Sequence, residues 1–361
     1  MLTWIWVLNY ELSKGIKMKI DKLLSTTLAA ALFLTLSSAS DVSVAQKAKG
    51  YGLVAIPSDH AELMKLIDPN KTITPEKVEL GKKLYFEPRL SKSGIISCNT
   101  CHNIGLGGAD GVSAAVGHQW TANPHHLNSP TVYNAVFYKT QFWNGRSPHL
   151  EDQAQGPMQA APEMAAPKSL VEERINSIPD YVQEFKKAYG KDVKVDFETI
   201  TSTIGIFERT LVTPSRYDDF LNGKADALTD TEKKGLNTFI DKGCASCHTG
   251  VALGGTMQPF ELTAKYKFAD LGDFKGDANG MVKTPTLRNI TETAPYYHNG
   301  AIWSLSEAIQ EMGSTQLGIE VSDAEAEEIV TFLKTLKGRK PEITYPQLPE
   351  STLSTPKPDF K

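Results

Sequence analysis

The sequence predicts a mainly α-helical protein of two domains. Three observations carry that expectation: one five-residue cysteine pattern stands in each half, capping pairs precede apolar residues at helical spacing, and no convincing run of period-two alternation occurs. The patterns are Cys98-Asn99-Thr100-Cys101-His102 and Cys244-Ala245-Ser246-Cys247-His248, and together they use all four cysteines of the 361-residue chain.

In chain order, the first element is a leader. Residues 1–17 read as an upstream extension; from Met18 follow Lys19, Asp21 and Lys22, an apolar run from Leu23 through Leu36, and small residues ending in Ser43-Val44-Ala45. That is the form of a secretory signal peptide, with an apolar run shorter than the ~20 residues a membrane span needs. Cleavage is expected near Ala45, so that residues 1–45 are extension and signal peptide and nothing in the mature chain enters a membrane. About 316 residues then remain, enough for two ordinary domains, expected over 46–212 and 213–338, with 339–361 as a tail. Losing four lysines and three acids with the leader takes the net charge from −4 to about −5. A basic footprint is missing, which excludes a nucleic-acid partner.

Each cysteine pattern has the form of covalent c-type haem attachment. Two thiols three positions apart on a helical turn reach the two vinyl groups of one porphyrin, and the adjacent histidine meets the iron. A four-cysteine zinc site would want its pairs within about 15–20 residues, and these are more than a hundred apart. A redox dithiol does not need the histidine. Two covalent haems, one per domain, are therefore expected, and because attachment takes place outside the cytoplasm the protein is expected in the periplasm.

Helices are signalled by a Ser or Thr followed three residues on by Glu: Ser169 with Glu172, Thr229 with Glu232, Ser304 with Glu307, Ser322 with Glu325. Apolar residues then recur at helical spacing, as Ile200, Ile204, Phe207 and Leu211, and again as Ile329, Phe332, Leu333 and Leu336. Gly190 and Gly338 read as helix stops. Two stretches rich in Gly, Ala and Pro, Leu106 to Trp120 and Gly156 to Pro167, read as loops that cover the open face of the first haem. The Pro-rich end from Pro341 should be an extended strap, expected to lie back on the N-terminal domain. No internal repeat is expected beyond the haem motif.

The sixth ligand decides what a haem iron does. For the second haem, Leu305, Ala308, Ile309 and Met312 stand at i, i+3, i+4, i+7 behind a capped start, which puts Met312 on a buried face; Met281 is the rival. For the first haem, His118, His125, His126 and His149 all follow the motif closely. His118 is preferred because the loop around Gly117 can deliver it to the iron and withdraw it.

These residues resemble one family. The run from Asn103-Ile104-Gly105-Leu106-Gly107-Gly108 through Gly117-His118, Asn128 to Asn134, Phe142-Trp143-Asn144-Gly145-Arg146 and Gln159 to Met164 is similar to the bacterial dihaem cytochrome c peroxidases. Lys283 to Asn289, Thr293 to Gly300 and Met312-Gly313 continue the likeness over nearly all of the mature chain. It implies two cytochrome c-like helical domains. The N-terminal haem would be peroxidatic, held by His102 with His118 as a removable ligand, and Glu163 and Gln153 would face the vacated iron. The C-terminal haem, with His248 and Met312, would receive electrons, and Trp143 would lie between the two. A calcium ion between the domains would be held by the Asn128 side chain and the carbonyls of Thr293 and Pro295. His298 would be structural.

The residue types suit that chemistry. Splitting peroxide requires a proton to move from one oxygen to the other, which a carboxylate of raised pKa does as base and then acid, and Glu163 sits among apolar neighbours. A methionine ligand gives the high potential suited to electron entry. Met312 also argues against the related enzymes that oxidise a protein tryptophan to a quinone cofactor, where a tyrosine stands in its place. The expectation is thus a periplasmic reductase of hydrogen peroxide, a homodimer by resemblance, fed by a small cytochrome c or a blue copper protein. The alternatives are a two-haem electron carrier and a dihaem oxidase of a protein or organic substrate.

Overall fold

Residues 44–361 are described by a computed structural model. The expected extension and signal peptide, apart from their last two residues, lie outside the described residues. From His60 on, the α-helices are α1 (His60–Ile67), α2 (Pro75–Tyr85), α3 (Cys98–Cys101), α4 (Leu150–Gln153), α5 (Gln155–Gln159), α6 (Lys168–Asn176), α7 (Pro179–Tyr189), α8 (Phe197–Arg209), α9 (Arg216–Leu221), α10 (Asp230–Asp241), α11 (Leu305–Met312) and α12 (Asp323–Leu333). One antiparallel pair, β1 (Met257–Pro259) and β2 (Met281–Lys283), joins them. None of the described helices is long and apolar enough to cross a membrane.

Local signals explain most starts and stops. Thr229 with Glu232 and Ser322 with Glu325 form reciprocal capping boxes on α10 and α12. Ser304 caps α11 through the Glu307 amide, while the Glu307 side chain turns to Lys267 at 2.5 Å. Ser169 differs from expectation: α6 starts one residue earlier behind Pro167, and Glu172 instead accepts from the Phe197 amide at 2.8 Å. Proline suits that entry because its φ is already helical. The stretch from Gly156 is likewise not all loop, since α5 runs to Gln159.

Each domain is built on one close helix crossing. In the first, α2 meets α8 at Gly81, where a Cβ would come within 2.2 Å of the Thr203 carbonyl, and Tyr85 packs edge-on to Phe207 at 5.3 Å. In the second, α10 meets α12 at Gly235, where a Cβ would come within 2.0 Å of the Glu328 carbonyl, and Phe239 packs on Phe332 at 5.3 Å. Glycine then aromatic four residues on is thus used twice, because only glycine lets the backbones approach so closely.

The likeness of the halves goes further and corrects the expectation of no other repeat. Pro130-Thr131-Val132-Tyr133-Asn134 and Pro285-Thr286-Leu287-Arg288-Asn289 stand 155 residues apart (130 to 285), and both asparagines take positive φ, 62° and 60°, ahead of a short 3-10 turn. The same offset relates the bridges Gln141–Ser147 and Tyr296–Ile302, the turns Asn144-Gly145 and Asn299-Gly300, and the starts of α4 at Leu150 and α11 at Leu305. The two units also meet reciprocally. The Asn128 amide donates to the His298 carbonyl at 2.7 Å, and the Lys283 amide, 155 positions from Asn128, donates to the carbonyl of Trp143, 155 positions from His298, at 2.7 Å. Such i-to-j and j-to-i pairing marks an approximate two-fold relation between the halves.

The last stretch crosses back over the first domain. Ile343 and Leu348 pack on its core, Tyr345 lies edge-on to Phe86 at 4.9 Å, and the buried Arg174 guanidinium donates to the carbonyls of Pro356 and Lys357 at 3.2 and 2.9 Å. Arg174 also holds the Arg89 and Lys92 carbonyls at 2.8 and 3.0 Å, so one side chain clamps the tail to the segment ahead of the first haem motif.

Candidate functional site

The first haem motif opens a one-turn helix, α3, behind Ser97, and His102 closes it. The His102 Nδ1 lies 2.8 Å from the Pro130 carbonyl, which fixes the ring with Nδ1 as donor and leaves Nε2 as a basic ligand. Burial holds its pKa below the ordinary value, keeping the imidazole neutral as an iron ligand must be. Cys98, Cys101 and His102 line one cavity of about 400 Å³. The four cysteines are unpaired, so the thiols are available for attachment.

Gln153, Glu163 and Trp143 line the same cavity, with Arg146, His125 and Glu208. Leu150, Gln153, Ala154 and Pro157 reach it from α4 and α5 at i, i+3, i+4, i+7. Burial raises the Glu163 pKa, and the Arg146 guanidinium and His125 oppose it. Arg146 lies over the Phe142 ring, with Cζ 3.4 Å from its centroid. His118 is placed differently: it is buried, its amide donates to the Glu163 carbonyl at 2.7 Å, its Nδ1 makes no hydrogen bond, and it does not line the cavity. Gly117 lets the two loops touch, since a Cβ there would come within 2.0 Å of the Pro162 carbonyl. His125 is engaged with Asp273 at 2.9 Å, His126 with the Asn299 carbonyl at 3.2 Å, and His149 caps α4.

The second motif forms a 3-10 turn at Cys244–Ser246. The His248 Nδ1 lies 3.1 Å from the Leu253 carbonyl, and burial again holds its pKa down. Cys244, Cys247 and His248 line a cavity of about 200 Å³ together with Leu305, Ala308, Ile309 and Met312. Met281 lies on β2 and does not line it. Among the described residues no acidic side chain lines this cavity. In both cavities a pair of thiols, a neutral imidazole with its outer nitrogen bonded and a largely apolar wall converge, which fits a covalently bound haem.

The cavities share a wall made of residues 128–131, Tyr138, Trp143 and Lys283. The Trp143 indole donates from Nε1 to the Asn128 carbonyl at 2.9 Å and meets the His298 ring edge-on at 6.4 Å. His298 is packed among Phe260, Tyr266 and Phe274, and its pKa is pushed down to about 4 by burial, so it is an uncharged part of this seam. Asn128 donates from Nδ2 to the carbonyls of Pro295 and Tyr297 at 2.7 and 3.1 Å. Thr293 and Pro295 line the C-terminal cavity beside it. Among the described residues no cluster of three Asp, Glu, His or Cys could hold a metal, so a calcium ion here would rest on neutral oxygens.

Comparison with known proteins decides the family. The family model described as di-haem cytochrome c peroxidase matches residues 75–226, and that for cytochrome c matches 232–337. The chain is 46% identical over 300 residues to the cytochrome c551 peroxidase of Pseudomonas aeruginosa, covering 79% of this chain and 86% of that protein. It belongs to the dihaem cytochrome c peroxidase family. The cytochrome c551 peroxidase of Nitrosomonas europaea is 43% identical over 304 residues, covering 81% and 90%. A solved MauG-like protein associated with microbial copper homeostasis superposes with a TM-score of 0.64 at 28% identity, covering 74% of this chain and 90% of that one.

This dihaem peroxidase therefore reduces hydrogen peroxide, taking up two electrons and two protons per peroxide to give two waters. Haem iron supplies the site where peroxide binds and the electrons that break its O–O bond. The chain's task is to orient the haems, exclude water and move protons. The cysteines, His102, His248 and Met312 named from the sequence all come to the two cavities; Arg146, Glu208 and Lys283 were missed as cavity residues, because a lone charge carries no sign of its burial.

Proposed function

We propose that the two cavities divide the reaction: electrons enter at the haem of His248 and Met312, pass the seam at Trp143, and reach the haem of His102, where Glu163 and Gln153 handle peroxide. The observation that carries this reading is the contrast between the cavities. One is lined by Met312 and, among the described residues, by no acid; the other presents a buried carboxylate of raised pKa and Gln153. Glu163 accepts the proton of the oxygen nearer the iron and returns it to the leaving oxygen, with Gln153 orienting peroxide by hydrogen bonding. His118 is assigned as the ligand the first iron carries at rest and loses when the second is reduced. Its loop already rests on the Glu163 segment through the 2.7 Å amide bond, so withdrawing the ring and ordering the carboxylate are one movement.

The donor is a small cytochrome c or a blue copper protein, the location periplasmic, the assembly a homodimer, and the domains 46–212 and 213–338. The Pseudomonas and Nitrosomonas relatives, named for cytochrome c551, support the donor class. A calcium ion held by the Asn128 side-chain oxygen and the Thr293 and Pro295 carbonyls belongs to the same reading. Asn128 already stands 2.7 Å from the Pro295 oxygen, so turning its amide presents the oxygen, and water completes the roughly six to eight ligands.

The test is addition of one electron equivalent per chain to the oxidised holoprotein, followed by spectroscopy and peroxide assay. A high-spin iron should emerge as the Met312 haem is reduced, with peroxide consumed on addition of reduced cytochrome. Iron that stays six-coordinate and low-spin at every level of reduction, with no peroxide consumed, would leave a two-haem electron carrier instead.

A further inference from the structure

The wall between the haem cavities carries one charged side chain that the reaction above does not use. Lys283 is buried at the end of β2, with Nζ 4.4 Å from the centroid of the Tyr138 ring. Burial alone acts on its pKa, which falls to about 7; among the described residues no carboxylate is paired with it. An ammonium kept out of water without an anion is costly, and a chain that only needed to fill this space would use an apolar residue of the same length. The ring of Tyr138 offsets part of that cost but is not an anion.

A bound haem would bring an anion. Each porphyrin carries two propionate carboxylates on the edge away from its thioether links. Here Lys283 lines both cavities, and among the described residues the C-terminal one has no acid on its wall. We propose that the Lys283 ammonium pairs with haem propionate at the seam and, being the charge common to both cavities, raises the reduction potential of both irons.

The two-fold relation of the halves adds an independent argument. The position equivalent to Lys283 is Asn128, and the two backbones make the same bond across the seam at the same 2.7 Å. Asn128 turns its side chain to the Pro295 and Tyr297 carbonyls, a set of oxygens suited to a cation, whereas Lys283 brings a cation within its own side chain. The duplicated scaffold thus presents a cation, or the means to hold one, on each side of the seam. A positive charge near the irons favours the reduced state, which carries one positive charge fewer, and propionates left without a cationic partner would do the opposite.

The proposal rests on each cavity holding its haem, not on the direction of electron flow or on Glu163. It is tested in Lys283→Met holoprotein by redox potentiometry and by resonance Raman spectroscopy of the propionate bending bands, with haem content measured first. With two haems per chain, both midpoint potentials should shift downward and a propionate band should move, while Lys283→Arg restores both. A Met variant with two haems, wild-type potentials and unmoved bands overturns the proposal. Should the Met variant fail to hold its haems, a structure of the wild-type holoprotein decides: Nζ within hydrogen-bond reach of a propionate oxygen, about 3.5 Å, supports it, and a greater separation from every propionate overturns it.

Discussion

Replacing Glu163 by Gln keeps the size and the apolar surroundings of the side chain and removes only its capacity to take and return a proton. Glu163 is buried on the cavity wall, and desolvation raises its pKa, while Arg146 and His125 hold the rise in check. A positioned acid–base group contributes about 10²–10⁴ in rate, so kcat/KM for peroxide should fall by that factor, equivalent to about 3–5 kcal/mol of barrier. The assay is steady-state peroxide consumption with reduced cytochrome, on protein whose two haems have been counted. Because the ionised carboxylate must begin the cycle, the acid limb of the wild-type pH profile should lie above the ordinary glutamate value of about 4.3. Removing the Arg146 charge, as in Arg146→Leu, should carry that limb higher still, since a cation beside the carboxylate holds its pKa down. Peroxide consumption within tenfold of wild type in a fully loaded Glu163→Gln protein would refute the assignment.

Met312→His should lower the potential of the C-terminal haem, because a second imidazole favours the ferric state more than a thioether does; potentiometry showing no change would remove Met312 as ligand. Pro157→Met places a thioether at the position of the first half that matches Met312, so the half-reduced variant should stay low-spin and consume little peroxide; an unchanged high-spin signal would show that the two helices present these positions differently. Glu208 lies buried on the N-terminal cavity wall near Glu151, and burial with that repulsion pushes its pKa from 4.5 to about 8. The folded state therefore binds the extra proton, and its stability declines as pH rises from about 4.5 toward 8. Glu208→Gln should flatten that decline and gain on the order of a few kcal/mol at pH 8 with no gain at pH 4, read from denaturant unfolding of the holoprotein; an equal gain at both would point to packing instead.

How legible this was depends on what each feature needs from distant residues. The haem motifs, Met312 and the caps of α10, α11 and α12 are local in sequence, and periodicity alone sufficed to place Met312 with Leu305, Ala308 and Ile309 on one cavity. Ser169 failed as a cap because Pro167 two residues upstream already fixed the entry of α6. The seat of the His118 loop was not legible: it rests on Pro162 and Glu163, a contact between segments more than forty residues apart in sequence. The internal repeat was readable yet missed. Its signature is spread over single residues, Pro-Thr-x-x-Asn and Asn-Gly at a fixed offset, and becomes plain only when the matching φ values and bridges appear together.

That repeat accounts for the proposed asymmetry of the two irons in terms of few residues. One scaffold, used twice, presents to each cavity a helical face of four positions: Leu150, Gln153, Ala154 and Pro157 in the first half, Leu305, Ala308, Ile309 and Met312 in the second. Proline has no side-chain atom to give to a metal, so on the proposed reading an iron in the first cavity would be left to a ligand from elsewhere or to peroxide; methionine has one, and would close an iron in the second. Gln153 against Ala308 puts a hydrogen-bonding group on this helical face in the first cavity alone. At the seam, Trp143 is matched by His298, and the pair meets edge-on. Division of labour between chemically identical haems thus requires no difference in fold. On that reading a few exchanges at equivalent positions, each altering ligation, polarity or charge within one cavity, would be enough to make one iron a relay and the other a catalyst.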